Sequence, residues 1–90
     1  MNKDTKTAVL NRLKSVNGHV NGILSMVEED RYCIDVIKQI QAAQAALAKV
    51  NQLILDNHLH TCLIGAVRGD DAEERERALA EISELFTQKK

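Results

Sequence analysis

Cys33, His58 and Cys62 are three metal-competent side chains in a sequence with only two cysteines and three histidines. Two thiolates and one imidazole make a soft donor set, of the kind that suits Cu(I), zinc or iron–sulfur clusters rather than ions preferring carboxylates and water. A structural zinc wants four protein ligands, and no fourth is evident here. Cu(I) is content with three, and a reducing cytoplasm holds copper in that state. The donors therefore favour Cu(I), with zinc as a second, non-cognate occupant.

Their spacing adds a constraint. His58 and Cys62 stand four apart, so on a helix they share one face. Cys33 lies 25 positions before His58 with no proline between. If that stretch is one helix, a rise of about 1.5 Å per residue separates the two by roughly 37 Å. One molecule cannot then close all three donors on one ion, whereas two antiparallel copies can. Plainer readings exist for each residue alone: a buried cysteine usually behaves as a small hydrophobe, and a helical histidine is commonly packed or solvated. His60 is two positions from both His58 and Cys62 and points elsewhere. His19 reads as structural or exposed.

Ninety residues make one small domain, residues 1–90, near the lower limit at which a lone chain buries an adequate core. Hydrophobic residues are 44% of the chain, yet only Tyr32 and Phe86 are aromatic. Aliphatic packing of this kind belongs to helical bundles and coiled coils. Proline is absent, so nothing forbids long helices. No run approaches a membrane span and the N-terminus carries no apolar signal segment, which predicts a cytoplasmic protein with its cysteines as thiols. Net charge is −1, against an indiscriminate nucleic-acid binder. Through Lys14, however, four bases face one acid, and clustering of such N-terminal helices concentrates positive charge on one surface. A merely solvated helix face fits the charge pattern equally well. No catalytic triad, paired-carboxylate cleft or glycine-rich phosphate loop is present, so enzymatic activity is not expected.

Three helical segments position these residues. The first is predicted from about Asp4 to Glu29, with a stripe through Leu10, Leu13, Val16, Val20, Ile23 and Val27. Gly18 and Gly22 lie on one of its faces and leave room for another helix. Asp30 is the expected N-cap of the next segment. That segment runs from about Arg31 to Leu63, with a heptad-like stripe through Cys33, Ile37, Ile40, Gln44, Leu47, Asn51, Ile54 and His58. Ile34, Val36, Ala43, Ala46, Val50 and Leu53 widen its apolar surface beyond what one small chain can cover, which predicts oligomerisation. Residues 65–69 read as a break. Asp71 followed by Glu74 resembles a capping box opening the third helix, with a stripe through Ala78, Leu79, Ile82, Leu85 and Phe86 and with Glu73 to Arg77 mostly solvated.

On these residues the chain resembles the copper-sensing operon repressors of the CsoR/RcnR family. The carriers are Asn11-Arg-Leu-Lys-Ser-Val-Asn-Gly18, Gly22-Ile23, Glu29-Asp-Arg-Tyr-Cys-Ile-Asp-Val-Ile-Lys-Gln-Ile40 and Asn57-His-Leu-His-Thr-Cys62. The resemblance implies an all-α, three-helix protomer with a long central helix. Antiparallel dimers with a four-helix-bundle-like core then assemble into a disc-shaped homotetramer with intersubunit metal sites. It implies a repressor that binds operator DNA without metal and dissociates on Cu(I), freeing efflux or resistance genes. Cys33, His58 and Cys62 look like the Cu(I) class. The nickel/cobalt class adds an N-terminal histidine that residues 2–5 lack, and persulfide sensors lack the histidine matching His58.

The same resemblance couples the ligating histidine to a tyrosine beside the first cysteine, matched by Tyr32, and to a third-helix glutamate. Glu81 is the choice for the latter, with Glu84 and Glu76 as alternatives. Such partners orient a ligating imidazole through its second nitrogen. Arg12 and Lys49 match basic DNA-contacting positions, and Lys14 joins them by charge and proximity. Contacts of this type address phosphates and make binding salt-dependent. Two rival functions stay open: a persulfide- or thiol-sensing repressor of the same fold, and a metal-storage or delivery protein with no DNA partner.

Overall fold

The structure, a computed structural model, describes residues 1–87; the side chains of Cys62 and Thr87 lie outside the described residues. Helix α1 spans Lys3–Glu28, and α2 spans Cys33–His58. A π-helical turn, Leu59–Leu63, follows, then α3, Ile64–Arg68, and α4, Ala72–Thr87. No strand occurs among the described residues. None of the described helices is long and apolar enough to cross a membrane.

Local chemistry sets the ends of α1. Asn2 is its N-cap, and its side-chain oxygen accepts the Thr5 N–H at 2.8 Å. At the far end Asp30 takes a left-handed backbone, φ 55°. Its N–H donates to the Val27 carbonyl at 3.1 Å, and the Arg31 N–H donates to that of Met26 at 3.0 Å. These two bonds form a Schellman motif with aspartate at the position glycine usually holds. Asp30 therefore terminates α1 rather than capping α2. Reversing the chain requires its left-handed turn two residues too early for a cap, and the first bond of α2 runs from Val36 N–H to the Tyr32 carbonyl.

Residues Asn2–Ile54 form one compact unit, and the chain from Leu55 onward forms a second. Within the first, α1 and the body of α2 make an antiparallel hairpin. Its inner face on α1 is Val9 and Val16, buried, with Ala8, His19, Ile23 and Met26 half-buried. On α2 it is Ala43 and Val50, buried, with Val36, Ala46 and Leu53 half-buried. Both sets recur at threes and fours, the spacing of a helix–helix seam. The stripe expected on α1 is thus out of phase: Leu10, Leu13, Val20 and Val27 are exposed, and only Val16 and Ile23 of that set face inward. On α2 the heptad-like stripe is the uncovered one, with Ile37, Ile40 and Leu47 between 41% and 47% exposed. Gly18 and Gly22 face open space, with no atom within 4 Å of where a Cβ would stand.

Candidate metal centre

His58 is the last residue of α2 and is half-buried. The backbone after it widens for a local reason. The Thr61 hydroxyl donates to the Asn57 carbonyl at 2.7 Å, and the Asn57 side-chain amide donates back to Thr61 Oγ1 at 3.0 Å. A threonine bonding to the carbonyl four residues earlier competes with the helical ladder and opens it. The Ile64 N–H then reaches the Leu59 carbonyl, a five-residue step that marks π geometry. Such single turns are rare and concentrate at functional sites. Asn57 and Thr61 each precede an expected ligand by one residue, so the clamp sits directly beside the His58 and Cys62 backbone.

Helical backbone continues through Leu63 and Ile64 into α3. The expected break at residues 65–69 is confined to its end: Gly65 to Arg68 are helical and only Gly69 turns extended, at φ −74° and ψ 172°. Neither glycine needs a left-handed backbone, but a Cβ at Gly69 would stand 3.3 Å from the Gly65 carbonyl oxygen, so the chain leaves α3 closely at that residue. Asp71 Oδ1 accepts the N–H groups of Glu73 at 3.0 Å and Glu74 at 3.2 Å, the expected cap. Arg75, expected to be solvated, is half-buried. Its Nε donates to the Val67 carbonyl at 3.2 Å and a terminal nitrogen donates to Gly69 at 3.1 Å. A guanidinium at the carbonyl end of α3 satisfies acceptors the helix leaves open. The result holds α4 against both α3 and the π turn. On α4 the inward face is Arg75, Ala78 and Ile82, while Leu79, Leu85 and Phe86 are exposed.

Cys33 opens α2 as an exposed free thiol. The Cys62 backbone lies in the π turn and its side chain lies outside the described residues. Among the described residues of one chain, no three His, Cys, Asp or Glu side chains converge to hold a metal. Tyr32 is exposed. Glu81 is exposed on α4, and no hydrogen bond joins it to His58. Arg12, Lys14 and Lys49 are all exposed on the hairpin. Two features escaped sequence reasoning. One is the Asn57–Thr61 clamp, whose signal was an Asn-x3-Thr pair offset by one from His-x3-Cys. The other is a bond from His19 to the Gln39 carbonyl, 3.0 Å from Nε2.

A small all-helical protomer with a thiol and an imidazole at the first and last residues of one helix has the build of a metal sensor. Residues 5–88 match the metal-sensitive transcriptional repressors, and the chain belongs to that family. It is 52% identical over 64 residues to the copper-sensing transcriptional repressor CsoR of Mycobacterium ulcerans (strain Agy99). That match covers 71% of this chain and 55% of the relative, so the chain spans about half the length of the mycobacterial proteins it resembles. The CsoR of Bacillus subtilis (strain 168) is 42% identical over 82 residues, 91% of this chain and 81% of that one. The crystal structure of the copper-sensing repressor CsoR with Cu(I) from Geobacillus thermodenitrificans NG80-2 superposes with a TM-score of 0.82 at 36% identity. That superposition covers 98% of this chain and 92% of the other.

Proposed function

We propose that residues 1–90 act as one Cu(I)-responsive repressor domain in the cytoplasm. Without copper it binds operator DNA; on Cu(I) binding it dissociates, and copper efflux or resistance genes are expressed. Cys33 of one copy and His58 with Cys62 of an antiparallel partner would hold the ion, giving two equivalent sites per dimer and a homotetramer of two dimers. Tyr32 and Glu81 would orient His58, and Arg12, Lys14 and Lys49 would meet DNA phosphates.

One observation carries this reading. Cys33 begins α2, His58 ends it, and the stripe between them (Ile37, Ile40, Leu47) is exposed in the protomer. An apolar helix face of that extent is covered in solution by another chain, and antiparallel pairing brings the first residue of one α2 beside the last of the other. The donor set fits the metal: thiolate and imidazole are soft enough for Cu(I), and three of them complete its coordination. Copper-sensing relatives from Mycobacterium and Bacillus, and a Cu(I)-bound structure of the same fold, support the same choice.

The switch requires only that Cu(I) and DNA prefer different shapes of the assembly. By linkage, DNA then weakens Cu(I) affinity by the factor with which Cu(I) weakens DNA affinity. The decisive experiment titrates free and operator-bound protein with Cu(I) anaerobically while X-ray absorption reports the site. About two sulfurs and one nitrogen around copper, with weaker binding to the DNA complex, are expected of a soft three-donor sensor. Equal Cu(I) affinities, or the absence of Cu–S scattering, would end the proposal.

The exposed thiol of Cys33 gives a second reading some footing, in which Cys33 and Cys62 of two copies react with persulfide or oxidant. His58→Ala separates the two. A copper switch loses its response, whereas a thiol switch still cross-links and still releases DNA.

A further inference from the structure

On the hairpin, Asn11, Arg12, Ser15 and His19 of α1 line an open groove whose floor is Val16 and, from α2, Ala46. Arg12 and His19 are seven residues apart, two helical turns on one face and about 10.5 Å along the axis. Ser15 stands between them. Asn11, Arg12 and Ser15 can each donate a hydrogen bond, and no carboxylate is among the lining residues. Such a lining suits an anion.

The His19–Gln39 bond fixes what the histidine can offer. A carbonyl only accepts, so Nε2 of His19 carries the hydrogen that reaches Gln39. In the neutral ring Nδ1 is then an acceptor, unable to bond a phosphate oxygen, which is also an acceptor. Protonation from solvent turns Nδ1 into a donor, leaves the Gln39 bond intact and adds a positive charge to that of Arg12. On α2 the residue bonded to His19 is Gln39 and the one lining the groove is Ala46, both neutral; the charged residues flanking Gln39 in sequence are Asp35 and Lys38, and neither lines the groove. No carboxylate lies within ion-pair distance of His19 among the described residues.

We propose that this groove receives a phosphodiester of the DNA backbone and that His19 takes up a proton as the phosphate enters. The inference rests on the DNA-binding reading above and adds to it a site and a linked proton. Histidine is the side chain that ordinarily changes charge between about pH 5 and 8. A phosphate beside the imidazolium stabilises the charged form, so DNA affinity is highest at low pH and falls as pH rises.

The test is operator affinity of the metal-free protein from pH 5.5 to 8.5 at fixed ionic strength, by fluorescence anisotropy, for wild type and His19→Gln. Glutamine keeps a donor for Gln39 but does not titrate, so it also removes His19 from the background of His58 and His60. Wild-type affinity is expected to fall by up to about tenfold per pH unit for each groove engaged, the limit for one linked proton. His19→Gln should flatten this dependence across the same pH range.

Circular dichroism checks that the variant folds. Should it not, the wild-type His19 ring titration by NMR decides instead, and operator DNA must shift that titration to higher pH. A pH dependence that survives in His19→Gln, or a ring titration unmoved by DNA, overturns the proposal and leaves the repressor reading standing. A His19 ring titration that inorganic phosphate raises and operator DNA leaves unmoved assigns the groove to a free anion and overturns it too. Wild type that binds no operator at any pH overturns both.

Discussion

Thr61 and Asn57 are bonded to each other twice, hydroxyl to carbonyl at 2.7 Å and amide to hydroxyl at 3.0 Å, across the turn that carries His58. The clamp holds a backbone geometry that helix propensity alone would not choose, at the residues expected to bind metal. It makes the spacing between His58 and residue 62 a property of a side-chain pair.

Thr61→Val keeps the shape of the side chain and deletes both bonds. The expected cost is about 2 kcal/mol in denaturant unfolding, two hydrogen bonds at a net worth of about 1 kcal/mol each. The more informative readout is Cu(I) affinity in competition with a chelator. If the π turn aligns the ligands, affinity falls about 10-fold or more, as when groups supporting a ligand are removed. Unchanged Cu(I) binding would show the turn to be irrelevant to the metal.

Ile37→Lys and Leu47→Lys place a charge on the exposed stripe of α2. In a lone protomer, substitutions at such exposed sites cost within about 0.5 kcal/mol. In an assembly that buries the stripe they place an unpaired charge in an apolar seam, which is far more expensive. Sedimentation velocity should therefore show wild type as an oligomer and these variants as smaller species. An unchanged sedimentation coefficient would mean that the stripe is not the interface.

Arg12→Ala and Lys49→Ala address the pairing of basic side chains with phosphates. Removing one such pairing should reduce the slope of log affinity against log salt by about 0.9. Affinity should drop by a similar factor on operator and unrelated DNA, because phosphates carry no sequence information. A variant with lower affinity at an unchanged slope would assign that residue to folding or assembly.

Asp30→Gly should raise stability, a rarer outcome for a substitution. Aspartate bears a Cβ in the left-handed region, φ 55°, where glycine is free of that cost. Allowing for glycine's extra freedom in the unfolded chain, a gain of about 0.5–1 kcal/mol is expected by thermal melting. A decrease would mean that the Asp30 carboxylate supports the turn in a way its backbone bonds do not reveal.

Much of this molecule is legible in its residues alone. The absence of proline and the three- and four-residue spacing of aliphatics define three helical segments, because amphipathic period is local and survives translation into structure. The Asp71 cap is equally readable, since a cap needs only residues two and three positions away. The donor types and the 25-residue interval are visible too, and once that interval is read as one helix they lead to the expectation of a partner chain.

Phase and side-chain bonding are decided only in three dimensions. On α2 two apolar stripes run side by side, and in sequence the heptad-like one reads as the main stripe with the other only widening it. Packing against α1 covers Val36, Ala43 and Val50 and leaves Ile37, Ile40 and Leu47 outside, a choice made by the neighbour and not by the stripe. Asp30 likewise reads as a cap until the reversal between α1 and α2 claims it. The His19 bond to Gln39 joins residues 20 apart in sequence. Periodicity encodes which faces are apolar, whereas hydrogen bonds between distant residues depend on how the helices meet.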